Sequence, residues 1–176
     1  HYNAKKAFEN VLVSSKIEDN ILKTWVVNDN LEEVTDTLHL KLIDFSRKKL
    51  WTFSKEITAS KNSSELKHEL NLKDIDRKNT VLVSSFNNTT STYYLAKPKD
   101  LKLQKAEITK EISKTATGFS IKLSSSTLQK DVFLYSEVKG HFSDNFFDLL
   151  PNKIVEIEFK TNADNLKSLK IKTLNE

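Results

Sequence analysis

The sequence predicts an all-β fold of antiparallel sandwiches in tandem, on three observations. Short segments rich in β-branched and aromatic residues alternate apolar with polar side chains, the period of two that a half-buried strand requires. Runs such as "NDNLEE", "DFSRK", "ASKNSS" and "KDIDRKN" separate these segments with Asx and Ser turn chemistry at the intervals of a sandwich. The third observation is length: 176 residues exceed the usual single domain of about 100 to 150 and suit two.

Taken in order, residues 1–10, "HYNAKKAFEN", come first. Ala4, Lys5, Lys6, Ala7 and Phe8 are mostly good helix formers without β-branching, so the stretch reads as a short helix, marginal alone. Strands are expected at 11–17, 21–28, 37–45, 50–58, 65–72, 80–86 and 92–95. In 37–45, Leu38, Leu40 and Leu42 share one face and His39 and Lys41 the other. Trp25, set in "LKTWVV", is expected in the core.

Lys97-Pro98-Lys99-Asp100 ends this series, because proline removes a ladder donor. The domain boundary is placed there, giving sandwiches over 11–97 and 98–176. The second half then offers strands at 101–103, 106–113, 119–125, 131–139, 154–160 and 169–174. "AEITKEISK" at 106–114 also fits an amphipathic helix, with Ile108 and Ile112 four apart. As a strand it places Ala106, Ile108 and Ile112 on one face, in keeping with its neighbours.

Composition excludes several functions. The net charge is +4, but only Arg47 and Arg77 among the 28 basic residues are arginines, and 24 acids interleave with the lysines. That is a solvated surface and not a nucleic-acid footprint, which favours the planar guanidinium. The two glycines, Gly118 and Gly140, build no phosphate-binding loop. Without cysteine there are no disulfides or thiolate metal sites, and the redox compartment stays open. No apolar run approaches the roughly 18 residues of a bilayer span, and no signal-peptide pattern opens the sequence. Neither a cofactor nor a membrane partner is expected.

Candidate sites divide into corners and contacts. The run "HFSDNFFDLLP" at 141–151 places Asp144 and Asp148 close enough to suggest an acid pair. The reading adopted is a structural corner: Asp144 and Asn145 cap backbone amides while Phe142, Phe147, Leu149 and Leu150 plug a sandwich end before Pro151. Glu156 and Glu158 alternate with Val155, Ile157 and Phe159 and should face water. His1, His39, His68 and His141 lack a metal-ligand spacing. Asn28-Asp29-Asn30 lacks the glycine and distal glutamate of a calcium loop and reads as a turn. Trp51, Tyr93 and Tyr94 are candidates for carbohydrate contact. Asn62, Asn87 and Asn88 open glycosylation-type triplets that chance supplies easily in such a chain.

The run "KDVFLYSEVKGHFSDNFFDLLPNKIVEIEF" at 130–159 resembles the last immunoglobulin-like domain of β-mannosidases of glycoside hydrolase family 2. "LKTWVVNDNLEEVTDTLHLKLIDF" at 22–45 is similar to the domain before it. "HYNAKKAFENVLVSS" looks like the junction where the last helix of the catalytic barrel enters these sandwiches. One departure stands out: Asn152-Lys153 replaces the family's usual Gly-Glu after the proline. Asn tolerates the left-handed backbone that glycine supplies.

The resemblance implies two tandem immunoglobulin-like sandwiches, non-catalytic accessory domains that brace the barrel of a retaining enzyme releasing terminal β-mannose. Its partners would be the barrel and amino-terminal domains of the same parent chain, with glycan met only through the parent. It also implies export to the periplasm or exterior of a glycan-degrading bacterium. Retention needs two carboxylates about 5 Å apart, at the carboxyl ends of barrel strands; no catalytic residue is expected within 1–176. The alternatives are a non-enzymatic adhesion or scaffold protein of tandem sandwiches, or a carbohydrate-binding module.

Overall fold

The structure is a computed structural model that describes residues 10–166 and 168–175. Apart from Asn10, the helix expected over 1–10 lies outside the described residues. The rest is strand and turn, with two single-turn 3₁₀ segments at Arg77–Asn79 and Pro98–Asp100. Among the described residues, no helix is long and apolar enough to cross a membrane. Two compact units emerge among the described residues: one drawn from residues 10–44 together with Lys48–Lys102, the other from Leu103 onward with Phe45–Arg47.

The amino-terminal unit holds β1 Val11–Glu18, β2 Ile21–Asn28, β3 Val34–Asp44, β4 Lys49–Ala59, β5 Ser63–Asn71, β6 Thr80–Phe86 and β7 Thr89–Tyr94. They form sheets ordered β1-β2-β5 and β4-β3-β6-β7, antiparallel throughout. Local chemistry explains the reversals. Asp19 and Asn20 have φ of 47° and 68°, and Asn87 and Asn88 have 47° and 62°. Each pair makes a two-residue hairpin turn with both central φ positive, the geometry whose twist matches the flanking strands and which Asn and Asp accept best.

Alternation closes this sandwich. Leu38, Leu40 and Leu42 of β3 are buried and meet Val11, Val13, Leu22 and Val26 from the other sheet. Each such side chain contributes about 1.5 to 3 kcal/mol by leaving water. On β2 the inward face is Leu22, Thr24, Val26 and Asn28. Trp25 is therefore not a core residue as its setting suggests: it is half-buried on the outward face, opposite Ser14 and Leu66.

The carboxyl-terminal unit holds β8 Thr109–Thr115, β9 Gly118–Ser124, β10 Gln129–Tyr135, β11 His141–Phe142, β12 Phe147–Leu149, β13 Val155–Lys160 and β14 Lys170–Lys172. Its sheets run β11-β13-β9-β8 and β12-β10-β14. Ile121, Leu123, Ile157 and Phe159 from the first pack on Val132, Leu134, Phe147 and Leu149 from the second. At Gly118, φ is +144°, and an added Cβ would lie 2.1 Å from the Phe159 carbonyl oxygen. Only glycine fits so close a backbone approach.

Several strand expectations need correction. Residues 101–103 form no strand: Lys102 N–H reaches the Lys78 carbonyl at 2.8 Å, and the Gln104 carbonyl accepts from the Asn175 amide at 2.8 Å. Isolated bonds of this kind stand where a ladder was expected. The segment over 106–113 becomes a strand only from Thr109, and every residue of β8 is exposed. β10 stops at Tyr135, because the Ser136 hydroxyl accepts the Val138 N–H at 3.1 Å and turns the chain. The corner at 141–151 contributes two short strands, β11 and β12, that the sequence reading did not separate.

Candidate functional site

The corner is built around Asn145, a buried polar residue. Its Oδ1 accepts the Leu134 N–H at 2.7 Å and the Phe146 N–H at 3.1 Å, while Nδ2 donates to the Leu134 carbonyl at 2.9 Å. The side-chain amide thus stands in for a strand partner beside β10. Asp144 Oδ1 accepts the Asn145 N–H at 2.8 Å and holds that amide in place. Asp148, on β12, works on the backbone as well. Its Oδ1 accepts the Asp131 N–H at 3.0 Å, at a bulge where Asp131 takes φ 52°. Lys130 Nζ lies 3.0 Å from Asp131 and 3.7 Å from Asp148.

The apolar members of the corner close the sandwich. Phe147, Leu149 and Pro151 are buried, Leu150 is half-buried, and the Phe142 ring lies 4.4 Å from that of Phe159. Asn152 takes φ 53°, the left-handed turn where the related pattern has glycine. A general acid needs a pocket that admits substrate. An open depression of about 730 Å³ in this unit is lined by Lys105, Glu107, Ile108, Gln129, Ile171 and Thr173, and by neither aspartate. Glu156 and Glu158 are exposed, and Ser120 donates to Glu156 at 2.5 Å.

Trp51, Tyr93 and Tyr94 do not assemble into one surface. Register places Trp51, Leu42, Leu82 and Tyr93 in a single row across the four-stranded sheet. With strands about 4.8 Å apart, Trp51 and Tyr93 sit on the outer strands of that row, and both pack on the core. Tyr94 points to the opposite face and is half-buried in register with Val81. Trp51 also lies 5.2 Å from the ring of His68, which is 4.1 Å from Phe53. Burial pushes the His68 pKa down, and its Nε2 is buried without a hydrogen-bond partner.

Metal and charge features are structural in kind. Among the described residues, no group of three or more His, Asp or Glu side chains could hold a metal ion. Asn28 in the "NDN" turn is fully buried, its amide donating to the Glu32 and Ala59 carbonyls at 2.9 and 3.1 Å. Glu18 has its pKa lowered to about 2 by hydrogen bonds from Lys16 and Lys23. Glu65 reaches the same value through Lys67, Ser60 and Ser63. The Asn145 cap expected from the sequence reaches beyond its own turn to Leu134; two features escaped the reading, the outward Trp25 and Phe146, which takes φ 58° and is 48% exposed. The adjacent Asx pair was the one available signal for the last.

Comparison with known families assigns both halves. Residues 20–100 match the mannosidase Ig/CBM-like domain, and residues 103–176 match the Ig-fold domain of mannosidases. The chain belongs to the immunoglobulin-like domains of mannosidases. Among solved structures, these mannosidase domains are similar to a β-D-mannosidase from Dictyoglomus thermophilum, with TM-score 0.79 and 23% identity over 98% of the chain. An exo-chitosanase from Amycolatopsis orientalis follows, with TM-score 0.63 and 13% identity over 99% of the chain. At these identities the likeness is one of fold. The mannosidase domains span 22% of the first protein and 26% of the second. Among curated protein sequences nothing matches the chain.

Proposed function

We propose that the chain is the non-catalytic accessory part of a β-mannosidase, bracing the catalytic barrel of a retaining glycosidase that releases terminal β-D-mannose. The observation that carries this reading is the employment of Asp144 and Asp148. Both acids in the one run that suggested chemistry accept main-chain N–H groups of a closed sandwich, beside a fold shared with mannosidases. An apolar strip on the outward face of β1-β2-β5 supports bracing: Leu12 and Val27 lie opposite each other, and Trp25 lies opposite Leu66, which is 46% exposed. An adjoining barrel would cover it.

Two assays test the reading. The chain alone is expected to leave an aryl β-mannoside unhydrolysed; turnover above background that survives alanine at Asp144 and Asp148 contradicts the accessory role. A parent enzyme truncated before these sandwiches is expected to lose thermal stability and to regain it when the chain is added in trans. An unchanged Tm on truncation removes the bracing role.

A further inference from the structure

On the outward face of β12-β10-β14, aromatic side chains stand clear of the core. Phe133 and Tyr135, two apart on β10, point away from buried Val132 and Leu134, and Tyr135 is 47% exposed. Phe146 lies beside them, its N–H bonded to the Val132 carbonyl at 2.9 Å. Its ring stacks on Phe133 with centroids 4.8 Å apart and planes 27° from parallel. The other positive-φ residues besides glycine are Asp, Asn and one Arg. An aromatic L residue avoids that conformation, so the corner holds Phe146 in a costly backbone state that presents its ring instead of burying it. Strain at an exposed side chain is a pointer to function.

We propose that this face is a glycan-binding platform that takes a β-linked pyranose chain across Phe146, Phe133 and Tyr135. A pyranose ring offers a flat C–H face and a rim of hydroxyls, and the protein surface mirrors both. The stacked rings supply the apolar floor, and the Asn145 and Val132 bonds fix it before binding, so little ordering accompanies association. Lys172 and Lys170, opposite Phe133 and Tyr135 in register, supply hydrogen-bond donors beside the Tyr135 hydroxyl. Charge selects the class of polymer. Lys170 faces Glu137 at 3.6 Å, and Lys130 is committed to Asp131 and Asp148. Acids offset most of the cations, which suits a neutral glycan and not a polyanion.

The test titrates the isotope-labelled 176-residue chain with a β-1,4-linked mannohexaose and, separately, with cellohexaose, followed by amide and ring NMR shifts. Saturable shifts centred on residues 133, 135, 146 and 170–172 are expected with at least one of them. Phe146→Gly removes the ring and the backbone strain together, so affinity should fall by about tenfold or more while Tm holds or rises. Tyr135→Ala, at an exposed strand position, repeats the affinity loss should the glycine variant fold poorly. The platform is overturned by no saturable shift with either sugar, by shifts centred on Trp51 and Tyr93, or by unaltered affinity in both variants. Shifts at these residues that depend on protein concentration alone would mark self-association and overturn it too. The choice of mannan rests on the β-mannosidase reading: binding of cellohexaose alone supports the platform and counts against that parentage.

Discussion

Asn145 and Leu134 exchange two hydrogen bonds, side-chain amide to main chain, at 2.7 and 2.9 Å. This is the pairing a neighbouring strand would make, carried out by one buried side chain at the point where β12 has not yet begun. Asn145→Ala leaves both Leu134 groups without partners, and each buried unsatisfied group costs about 1 to 3 kcal/mol. The expected loss is about 3 kcal/mol by denaturant unfolding. Asn145→Asp turns a carboxylate oxygen onto the Leu134 carbonyl in a buried site, so it should cost at least as much as alanine. A change under about 0.5 kcal/mol in the alanine variant, the scale of an ordinary surface substitution, removes the clamp from the account.

Asp148 discriminates a prop from an acid. Its partner, the Asp131 N–H, sits in a left-handed bulge that offers no ladder bond. Asp148→Ala should cost about 1 to 3 kcal/mol because that N–H is then unpaired. Asp148→Asn retains Oδ1 and should cost less than half as much. Equal losses in the two variants, measured by thermal unfolding, would indicate that the negative charge beside Lys130 matters more than the bond.

What the sequence disclosed follows from how each element satisfies its backbone. β3 was legible because Leu38, Leu40 and Leu42 alternate with His39 and Lys41, so periodicity and interior agree. β2 was legible as a strand but not in its orientation. Its inward face carries Thr24 and Asn28, its outward face Trp25 and Val27, and both faces look apolar enough to be core. A one-residue choice inverts every side chain, and only the partner strands decide it. The corner was legible as structural, yet β11 and β12 were hidden: they are two and three residues long, and Phe146 breaks the alternation between them. Trp51 and Tyr93 looked like surface aromatics in isolation; their common row with Leu42 and Leu82 exists only once register is set.

His68 predicts a pH dependence. Burial against Trp51 and Phe53 lowers its folded pKa below the ordinary 6.5, and Glu69 opposes only part of that shift. The unfolded state therefore binds the proton more tightly. Stability is fully present above pH 6.5 and declines as pH falls from there through the lowered folded pKa. Glu18 and Glu65, with folded pKa about 2 against an ordinary 4.5, act in a lower window: their contribution holds above 4.5 and fades as pH falls toward 2. His68→Phe should flatten the slope of ΔG just below pH 6.5 and leave the acid limb intact. An unchanged slope assigns that proton uptake to another group.

Gly118 makes the most severe prediction. β9 begins there, in register with Lys160 of β13 and at φ +144°. A Cβ at this point meets the Phe159 carbonyl oxygen at 2.1 Å and the Thr161 N at 2.9 Å. Both are main-chain atoms, one of β13 and one of the residue just after it, so no rotamer change can clear them. Gly118→Ala combines the conformational penalty of this backbone region with a clash that must part β9 from β13, for a loss of about 3 kcal/mol or more. The adjoining Phe119 and Phe159 are buried core residues in register, so the damage should spread to the carboxyl-terminal unit and leave the amino-terminal core intact. Heating the variant should lower the melting of signals from Phe119, Ile121 and Ile157 well before those from Leu38, Leu40 and Leu42. A uniform small drop across both sets would mean that the strand pair yields more easily than its backbone geometry implies.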